Sequence, residues 1–318
     1  MAKKEISQVT SPVQKGRRCV AFAKAWKKHW ILYMMFIPVA VYYLLFYYKP
    51  MYGILMAFQD YQPMKGMLGS DWVGFMHFKD FFQNYYFWRI VKNTVIISGA
   101  SIIFGFPAPI ILALLLNEVG STKFKRSVQT ISYMPHFISM VVICGMIRVF
   151  VADNGIITDL LVLFGMERQP LLSNPDAFVP ILVISEIWQG MGWGSIIYLA
   201  ALTGIDQTLY EAAVIDGANR WKQTLHVTIP GIAPTIIIML ILRLGSILSV
   251  GYEKIILLYN PLTYETGDVI SSFVYRKGLQ EMNWSYSTAV GLFNSVVNFV
   301  FLMITNSISR RVSETSLW

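Results

Sequence analysis

Six long apolar runs constrain the fold of this 318-residue chain more than any other feature of its sequence. Each run is about 20 residues long, the length that an α-helix needs to cross the hydrocarbon core of a bilayer. The runs are residues 31–48, 94–116, 128–150, 178–202, 231–250 and 285–308. Only 14% of the residues are charged, whereas soluble domains carry roughly a quarter. The sequence therefore predicts an all-α, multi-pass membrane protein with six transmembrane helices.

The distribution of Lys and Arg predicts the orientation, because basic residues are enriched in cytoplasmic loops. With the N-terminus inside, the inner segments carry fifteen basic residues and the longer outer segments carry nine. Both termini are then predicted to be cytoplasmic. No small-residue cleavage site follows the first run, so it is predicted to be a retained span rather than a signal peptide. The net charge of +8 is attributed to anchoring beside anionic lipid and not to nucleic-acid binding.

Residues 211–230 form a polar island between two apolar runs. The island begins with helix formers, and Asp216-Gly217 follows them. Glycine readily takes the left-handed conformation that ends a helix, so a turn is expected at this pair. A second helical stretch containing Trp221 precedes Pro230. The pattern predicts a helix, a turn and a second helix on the membrane surface, which is a shape suited to docking into a groove of a soluble partner.

This segment resembles the cytoplasmic EAA loop of binding-protein-dependent ABC importers. The positions that match the EAA pattern in register are Glu211, Ala212, Ala213, Gly217, Val227, Ile229 and Pro230. Strings elsewhere are similar to the polysaccharide- and complex-oligosaccharide-uptake branch of the carbohydrate importers. They include Tyr52–Phe58, Gly69–Gly74, Tyr133–Phe137, Ser287–Phe293 and the terminal Ser316–Trp318. The likeness covers nearly the whole chain after residue 30.

The resemblance implies a type I ABC importer permease with a maltose-permease-like fold. Residues 1–30 would be a basic cytoplasmic segment, and residues 31–318 a transmembrane domain with its EAA loop at about 203–230. The protein would lie in the bacterial cytoplasmic (inner) membrane, in contact with lipid. Its partners would be a second homologous permease, two ATPase subunits and an extracellular or periplasmic sugar-binding protein. Its substrates would be oligosaccharides or polysaccharide fragments, moved inward by alternating access.

ATP hydrolysis is expected to belong to a partner, because the sequence contains no Gly-x-x-x-x-Gly-Lys-Ser/Thr motif. This chain is therefore predicted to be no enzyme and to bind no cofactor, with ATP and Mg held by the partner ATPase. The residues assigned to ATPase coupling are Glu211, Ala212, Ala213, Asp216 and Gly217. Glu211 is expected to pair with a basic group of the ATPase, and the two alanines to permit close approach. Asp216 is open to two interpretations, a helix cap or a contact with the partner.

A substrate path is predicted along the two runs that flank the EAA loop, because sugar sites combine aromatic platforms with polar groups. The candidate residues are Trp188, Trp193, Tyr198, Arg243 and Ser246. Charged residues at membrane depth tend to face a bundle interior or a water-filled path. Arg243, about a dozen residues into its run, is the strongest candidate, and a guanidinium there would suit sugars that bear carboxylates. A structural ion pair or a contact with the partner permease is the alternative. Snorkelling also accounts for Arg148 and Glu186, which lie nearer the outer ends of their runs.

A membrane-embedded enzyme that transfers sugars is the alternative function. Such an enzyme would need a catalytic cluster, whereas the four histidines are isolated and no His-Glu-x-x-His occurs. Cys19 and Cys144 are far apart in sequence and indicate neither a disulfide nor a metal site. No catalytic residue and no metal ligand is therefore predicted.

Overall fold

The computed structural model describes residues 13–249 and 251–312, with side chains for residues 28–249 and 251–311. The string Ser316–Trp318 and the basic residues before residue 13 lie outside the described part. The chain divides into two units, residues 1–55 and residues 56–318. Most of the described residues lie in helices, as predicted.

The first unit is mainly one long helix. Helix α1 (Val13–Tyr43) continues through a π-helical turn (Leu44–Tyr48) into α2 (Lys49–Met51). Non-helical backbone angles at His29 kink α1, and the apolar part follows the kink. The helical stretch Lys28–Phe58 is long and apolar enough to cross a membrane, and it contains the first predicted span.

Apart from the 3₁₀ segment Tyr52–Phe58, which begins in the first unit, the remaining elements lie in the second unit. Its helices are α3 (Gly66–Gly69), α4 (Met76–Gln83), α5 (Phe87–Ala100), α6 (Pro107–Glu118), α7 (Thr122–Tyr133), α8 (Met140–Phe150), α9 (Ile156–Leu163), α10 (Pro175–Leu202), α11 (Gln207–Ile215), α12 (Arg220–Gln223), α13 (Ile229–Leu244), α14 (Tyr252–Leu258), α15 (Tyr264–Gly267), α16 (Ile270–Tyr275) and α17 (Trp284–Val312). Strands β1 (Gln59–Asp60) and β2 (Asp71–Trp72) pair antiparallel, with Gln59 opposite Trp72. The 3₁₀ segments are Tyr52–Phe58, Met134–Phe137, Leu171–Ser173 and Pro261–Thr263, and the π-helical turns are Ser101–Gly105, Thr224–Thr228 and Arg276–Gln280.

Fewer of the described helices are both long and apolar enough to cross a membrane than the six that the sequence predicts. Within the described residues, the stretches that meet both conditions are Lys28–Phe58, Phe87–Glu118, Arg220–Leu244 and Trp284–Arg311. The predicted run 128–150 is not one straight helix, because two helices meet there at 101°. The break follows Pro135, and the Ser139 side chain caps the start of α8 by accepting a hydrogen bond from Val142 N. The six-span count and the cytoplasmic termini stay predictions.

The predicted run 231–250 is also corrected at both ends. The helix already begins at Arg220 and ends at Leu244, and turns occupy residues 245–248. Gly245 follows the last turn, and a Cβ atom there would lie 2.7 Å from the Leu302 side chain of α17. Arg243 therefore lies in the last turn of α13, one residue before the helix ends.

Helix α10 is 28 residues long, but it is less apolar than the four described stretches that could cross a membrane. Glu186, Gln189 and several glycines make its middle more polar than its ends. It packs against α6, α7 and α13. A helix covered by neighbours can carry polar groups that would be costly against lipid.

Three hydrophobic clusters form the core of the second unit. The first joins α4, α5, α16 and α17 around Phe81 and Phe273, and the second joins α5, α8, α10 and α14 around Ile97 and Phe178. The third joins α6, α10 and α13 around Tyr198. Because α10 passes through the second and third clusters, its polar middle lies between two apolar layers.

A buried carboxylate ties residues 251–284 to α5. Asp268 is fully buried and accepts a hydrogen bond of 2.6 Å from Arg276. Arg89 of α5 lies 3.5 Å from the same carboxylate, and Asn93 donates to the Asp268 carbonyl oxygen at 3.1 Å. Residues 251–284 are therefore an ordered part of the bundle.

Candidate functional site

The EAA loop, residues 203–230, begins with a capped helix. The Asp206 carboxylate accepts a hydrogen bond of 3.0 Å from Thr208 N at the start of α11. Hydrogen bonds from Thr208 hold the pKa of the Asp206 carboxyl below its usual range. Asp216, the residue with two interpretations, lies at the other end of α11 and is exposed. The N-terminal cap therefore belongs to Asp206, and the Asp216 carboxylate faces outward.

Gly217 closes α11 in the left-handed conformation, as predicted. Its φ angle is +73°, and its N–H donates to the Val214 carbonyl oxygen at 3.0 Å. The Ala218 N–H donates to the Ala213 carbonyl oxygen at 2.9 Å. These two bonds form a Schellman motif, in which the left-handed residue is usually glycine.

The second helix of the EAA loop is continuous with the next span. Asn219 caps it by accepting a hydrogen bond of 2.9 Å from Lys222 N. The helix then runs through the π-helical turn Thr224–Thr228 into α13 without a break, so the stretch extends from Arg220 to Leu244. The second helix that the pattern predicts before Pro230 is therefore present, and it continues directly into the next apolar run. Pro230 lies inside this continuous helix, and the π-helical turn before it is the kind of local adjustment that accommodates a proline there.

The EAA loop presents a cleft and an apolar surface. A cleft of about 580 Å³ lies between α11, α12 and the end of α6, and Glu211 is among its lining residues. Arg220 forms an ion pair across the cleft with Glu118 at 3.6 Å.

Among the described residues, Glu211 has no ion-pair partner. Of the other assigned residues, Ala212 and Gly217 are exposed and Ala213 is half-buried, and three large apolar side chains beside them are exposed: Val214, Ile215 and Trp221.

An ion pair lies in the polar middle of the bundle. Arg243 of α13 donates to a Glu186 carboxylate oxygen of α10 at 2.6 Å. Ser101 donates to the other Glu186 oxygen at 2.8 Å and accepts a hydrogen bond from Arg243. Ser101 begins the π-helical turn that joins α5 to α6, and such turns are frequent at functional sites. One triad thus joins three helical stretches.

A buried lysine lies beside this triad. Lys254 of α14 is 5% exposed, and its ammonium lies 3.3 Å from the hydroxyl of Ser185, the residue before Glu186. Burial lowers the pKa of Lys254, and the negative charge of Glu186 partly opposes this effect. We call Ser101, Ser185, Glu186, Arg243 and Lys254 the interior polar cluster.

The structure corrects the snorkelling interpretation of two residues. Glu186 is held by Arg243 in the interior polar cluster. Arg148 donates to the carbonyl oxygen of Leu257, which joins α8 to α14. Both side chains therefore make contacts between helices, in keeping with the interpretation that such charged groups face the interior of the bundle.

The five predicted substrate-path residues do not all meet at one place. Arg243 and Ser246 line the same small cavity, of about 40 Å³, together with Glu186. Trp188 lines a separate apolar cleft of about 400 Å³ beside α8. Trp193 stacks on the ring of His136 with centroids 4.6 Å apart. Tyr198 is 2% exposed in the third hydrophobic cluster, and it lines a cleft of about 190 Å³ together with Glu186 and Arg243.

Sequence reasoning missed Ser101, Ser185 and Lys254. A serine within an apolar run and a single lysine in a predicted outer segment carry no pattern that distinguishes them. Their role depends on contacts with residues between 69 and 142 positions away in the sequence. The one usable signal was Glu186, an acidic residue inside an apolar run.

Comparison with known proteins finds one matching family and, among the similar proteins, two of Bacillus subtilis (strain 168). Residues 105–314 match the family described as binding-protein-dependent transport system inner membrane component. The chain is 42% identical over 309 residues to Protein LplB of Bacillus subtilis (strain 168), with 97% of each chain covered. It is 43% identical over 288 residues to the polygalacturonan/rhamnogalacturonan transport system permease protein YteP of the same organism, with 90% of each covered.

Two solved structures share the fold at high sequence identity. One is a bacterial ABC transporter involved in the import of the acidic polysaccharide alginate, with a TM-score of 0.85, 46% identity, and coverage of 92% of this chain and 99% of that chain. The other is a bacterial alginate ABC transporter in complex with an alginate pentasaccharide-bound periplasmic protein. Its TM-score is 0.85, its identity 45%, and its coverage 92% of this chain and 99% of that chain.

Proposed function

This chain belongs to the family of binding-protein-dependent transport system inner membrane components, and on that basis we propose that it carries acidic oligosaccharides into the cell. It is a permease subunit of an ABC importer of the carbohydrate-uptake type, as the sequence predicts. The ATPase of such an importer is a separate subunit, so this chain is not itself an enzyme.

The observation that carries the mechanism is the continuous helix between the EAA loop and the interior polar cluster. Arg220 lies at its EAA end and Arg243 at its other end, about 35 Å apart at 1.5 Å per residue. A helix is a stiff element, so movement of its EAA end reaches Arg243 directly. Arg243 is hydrogen-bonded to Glu186 of α10 and to Ser101. This movement therefore strains or breaks contacts around the cavity. Alternating access requires an element of this kind, which both the ATPase and the cavity bias.

The proposed assembly follows from the EAA loop and from the relatives. The cleft beside Glu211 and the exposed side chains of Ile215 and Trp221 supply a docking surface for an ATPase subunit. Two such subunits would hold ATP and Mg, and this chain would hold no cofactor. A second homologous permease and a sugar-binding protein complete the complex, as a related importer was solved with its periplasmic protein. Its location would be the bacterial cytoplasmic membrane.

Acidic sugars are favoured over neutral ones by charge and by the relatives. One related importer takes up an acidic polysaccharide, and another relative is a polygalacturonan/rhamnogalacturonan permease. The interior polar cluster contains two cations, Arg243 and Lys254, against one carboxylate, Glu186. A uronate carboxylate would balance this excess charge, and the planar guanidinium of Arg243 suits bidentate pairing with it.

The proposed function is tested in proteoliposomes that contain the full complex of both permeases, the ATPase subunits and the binding protein. ATP hydrolysis is measured with oligogalacturonates of three to six residues and with their methyl esters of equal length. We expect the acidic oligomers to stimulate hydrolysis and the uncharged esters to stimulate it much less. Equal stimulation by both would contradict the acidic class, and no response to any oligosaccharide would contradict sugar import.

Removal of the Glu211 carboxylate is expected to weaken attachment of the ATPase. Glu211→Ala should lower sugar-stimulated ATP hydrolysis by about tenfold or more, because truncating one member of a hydrogen-bonded charge pair at an interface costs at least about 2 kcal/mol. Glu211→Gln should show a similar loss, since it keeps the shape and removes the charge. The measurements are co-purification of the ATPase in detergent and stimulated hydrolysis.

The matched control is Glu167→Ala, which removes an exposed carboxylate from a loop far from the EAA segment in sequence. It should leave ATPase attachment unchanged. Wild-type values for both Glu211 variants would show that the loop does not use this carboxylate for docking.

A further inference from the structure

We propose that Lys254 is a second partner for Glu186, which Glu186 takes when a substrate carboxylate occupies Arg243. This ion-pair exchange rests on the proposed transport of acidic oligosaccharides, and it identifies the residue that makes the cavity selective for them. It is a change of partners only, with no covalent step and no net proton transfer.

The two cations of the exchange, Arg243 and Lys254, differ in how accessible they are to a substrate. The side chains of Arg243 and Glu186 are 43% and 40% exposed, and they line a cavity with Ser246. A carboxylate in that cavity can therefore approach the guanidinium. Lys254 is almost fully buried and is not among the residues that line this cavity, so a substrate reaches Arg243 and not Lys254.

Lys254 is placed to receive Glu186. Its ammonium is held 3.3 Å from the hydroxyl of Ser185, the residue before Glu186 in α10, and it is close enough to interact with the negative charge of Glu186. Ser185 already donates to the Leu182 carbonyl oxygen at 2.8 Å, so its oxygen is free to accept from the ammonium. Within the described residues, Lys254 has no carboxylate partner in the present arrangement.

Energetics explains why the exchange needs this lysine. A buried ammonium with one hydroxyl partner is poorly compensated, and a carboxylate deprived of its cation is costly in the same way. When a uronate carboxylate pairs with the Arg243 guanidinium, Glu186 keeps only its hydrogen bond from Ser101. Pairing of Glu186 with Lys254 removes both penalties at once. A neutral sugar offers Arg243 no charge, so it cannot displace Glu186.

The exchange also connects binding to movement. The Arg243–Glu186 bond joins α13 to α10, and α13 is continuous with the second helix of the EAA loop. Release of this bond frees α13 from α10 only when an acidic substrate is present. The ATPase cycle then acts on a helix that the substrate has unlocked.

The test uses the full complex in proteoliposomes, with trigalacturonate and binding protein as the stimulus. Lys254→Met is expected to lower stimulated ATP hydrolysis by about tenfold or more, since it leaves Glu186 without a second cation. Lys254→Arg should retain most of the stimulation, because it keeps the charge. The matched control is Lys277→Met, which removes a lysine whose ion pair, with Glu281 at 2.6 Å, lies outside the cluster. It should behave as the wild type.

A double-mutant cycle separates exchange from packing. In the Glu186→Gln background there is no carboxylate for Lys254 to receive, so Lys254→Met should cause no further loss there. A further loss in that background, or full stimulation of the single Lys254→Met variant, would overturn the exchange. If Lys254→Met alone fails to fold, the test still stands. It then compares the stimulated ATP hydrolysis of Glu186→Gln with that of the double variant. A wild-type complex that responds only to methyl esters would instead refute the proposed substrate class, and the exchange with it.

Discussion

Replacement of Gly217 with valine is expected to abolish sugar uptake while the chain still inserts into the membrane. Gly217 has a φ angle of +73°, which a β-branched residue adopts only at a cost of about 1–3 kcal/mol. A Cβ atom there would meet nothing within 4 Å, so the effect comes from the backbone and not from a clash. Loss of the left-handed turn would change the angle between α11 and the helix that follows it, and would displace Glu211 from the proposed contact with the ATPase. Uptake in membrane vesicles and immunodetection of the inserted chain are the measurements.

The structure supplies a matched control for this variant. Gly165 also has a positive φ angle, +92°, with open space around its Cβ position, but it lies outside the EAA loop. Gly165→Val introduces the same kind of strain and should retain uptake. Gly217→Asn should retain part of the activity, because asparagine tolerates the left-handed region. Normal uptake by Gly217→Val, or its disappearance from the membrane, would refute this account.

Replacement of Gly192 with alanine is expected to destabilise the bundle strongly. A Cβ atom at Gly192 would lie 2.0 Å from the carbonyl oxygen of Ser132. This oxygen belongs to the backbone of α7, so the contact can be relieved only if α7 and α10 move apart. Such separation also disturbs the stacking of Trp193 on His136. We expect a lower melting temperature of the purified complex and loss of transport, since overpacking of a close helix contact typically costs about 1–3 kcal/mol or more.

Gly190 provides the control on the same helix. It is two residues away from Gly192, and a Cβ atom there would meet nothing within 4 Å. Gly190→Ala should leave the melting temperature unchanged or raise it slightly, because alanine favours a helix more than glycine does. Equal melting temperatures for the two alanine variants would show that α7 and α10 are not in close contact at Gly192.

The EAA loop shows how far local sequence carries a structural prediction. The left-handed turn at Gly217 depends on neighbours within five residues, so the pattern around it was sufficient. The end of the following helix was predicted less well, because Gly245 terminates α13 beside Leu302, a residue distant in sequence. The break within residues 128–150 was also missed, since an apolar run predicts burial in lipid but not the direction of the helix axis.

What the sequence by itself determined is the membrane class, the approximate positions of the apolar runs and the EAA loop. These properties depend on transfer of side chains from water and on backbone preferences, which act over a few residues. Only the tertiary structure decided which charged groups meet. Glu186 and Arg243 are 57 positions apart, and Lys254 and Ser185 are 69 apart. Their electrostatic interaction depends on distance and burial in the folded bundle, and neither quantity is encoded in any short stretch of residues.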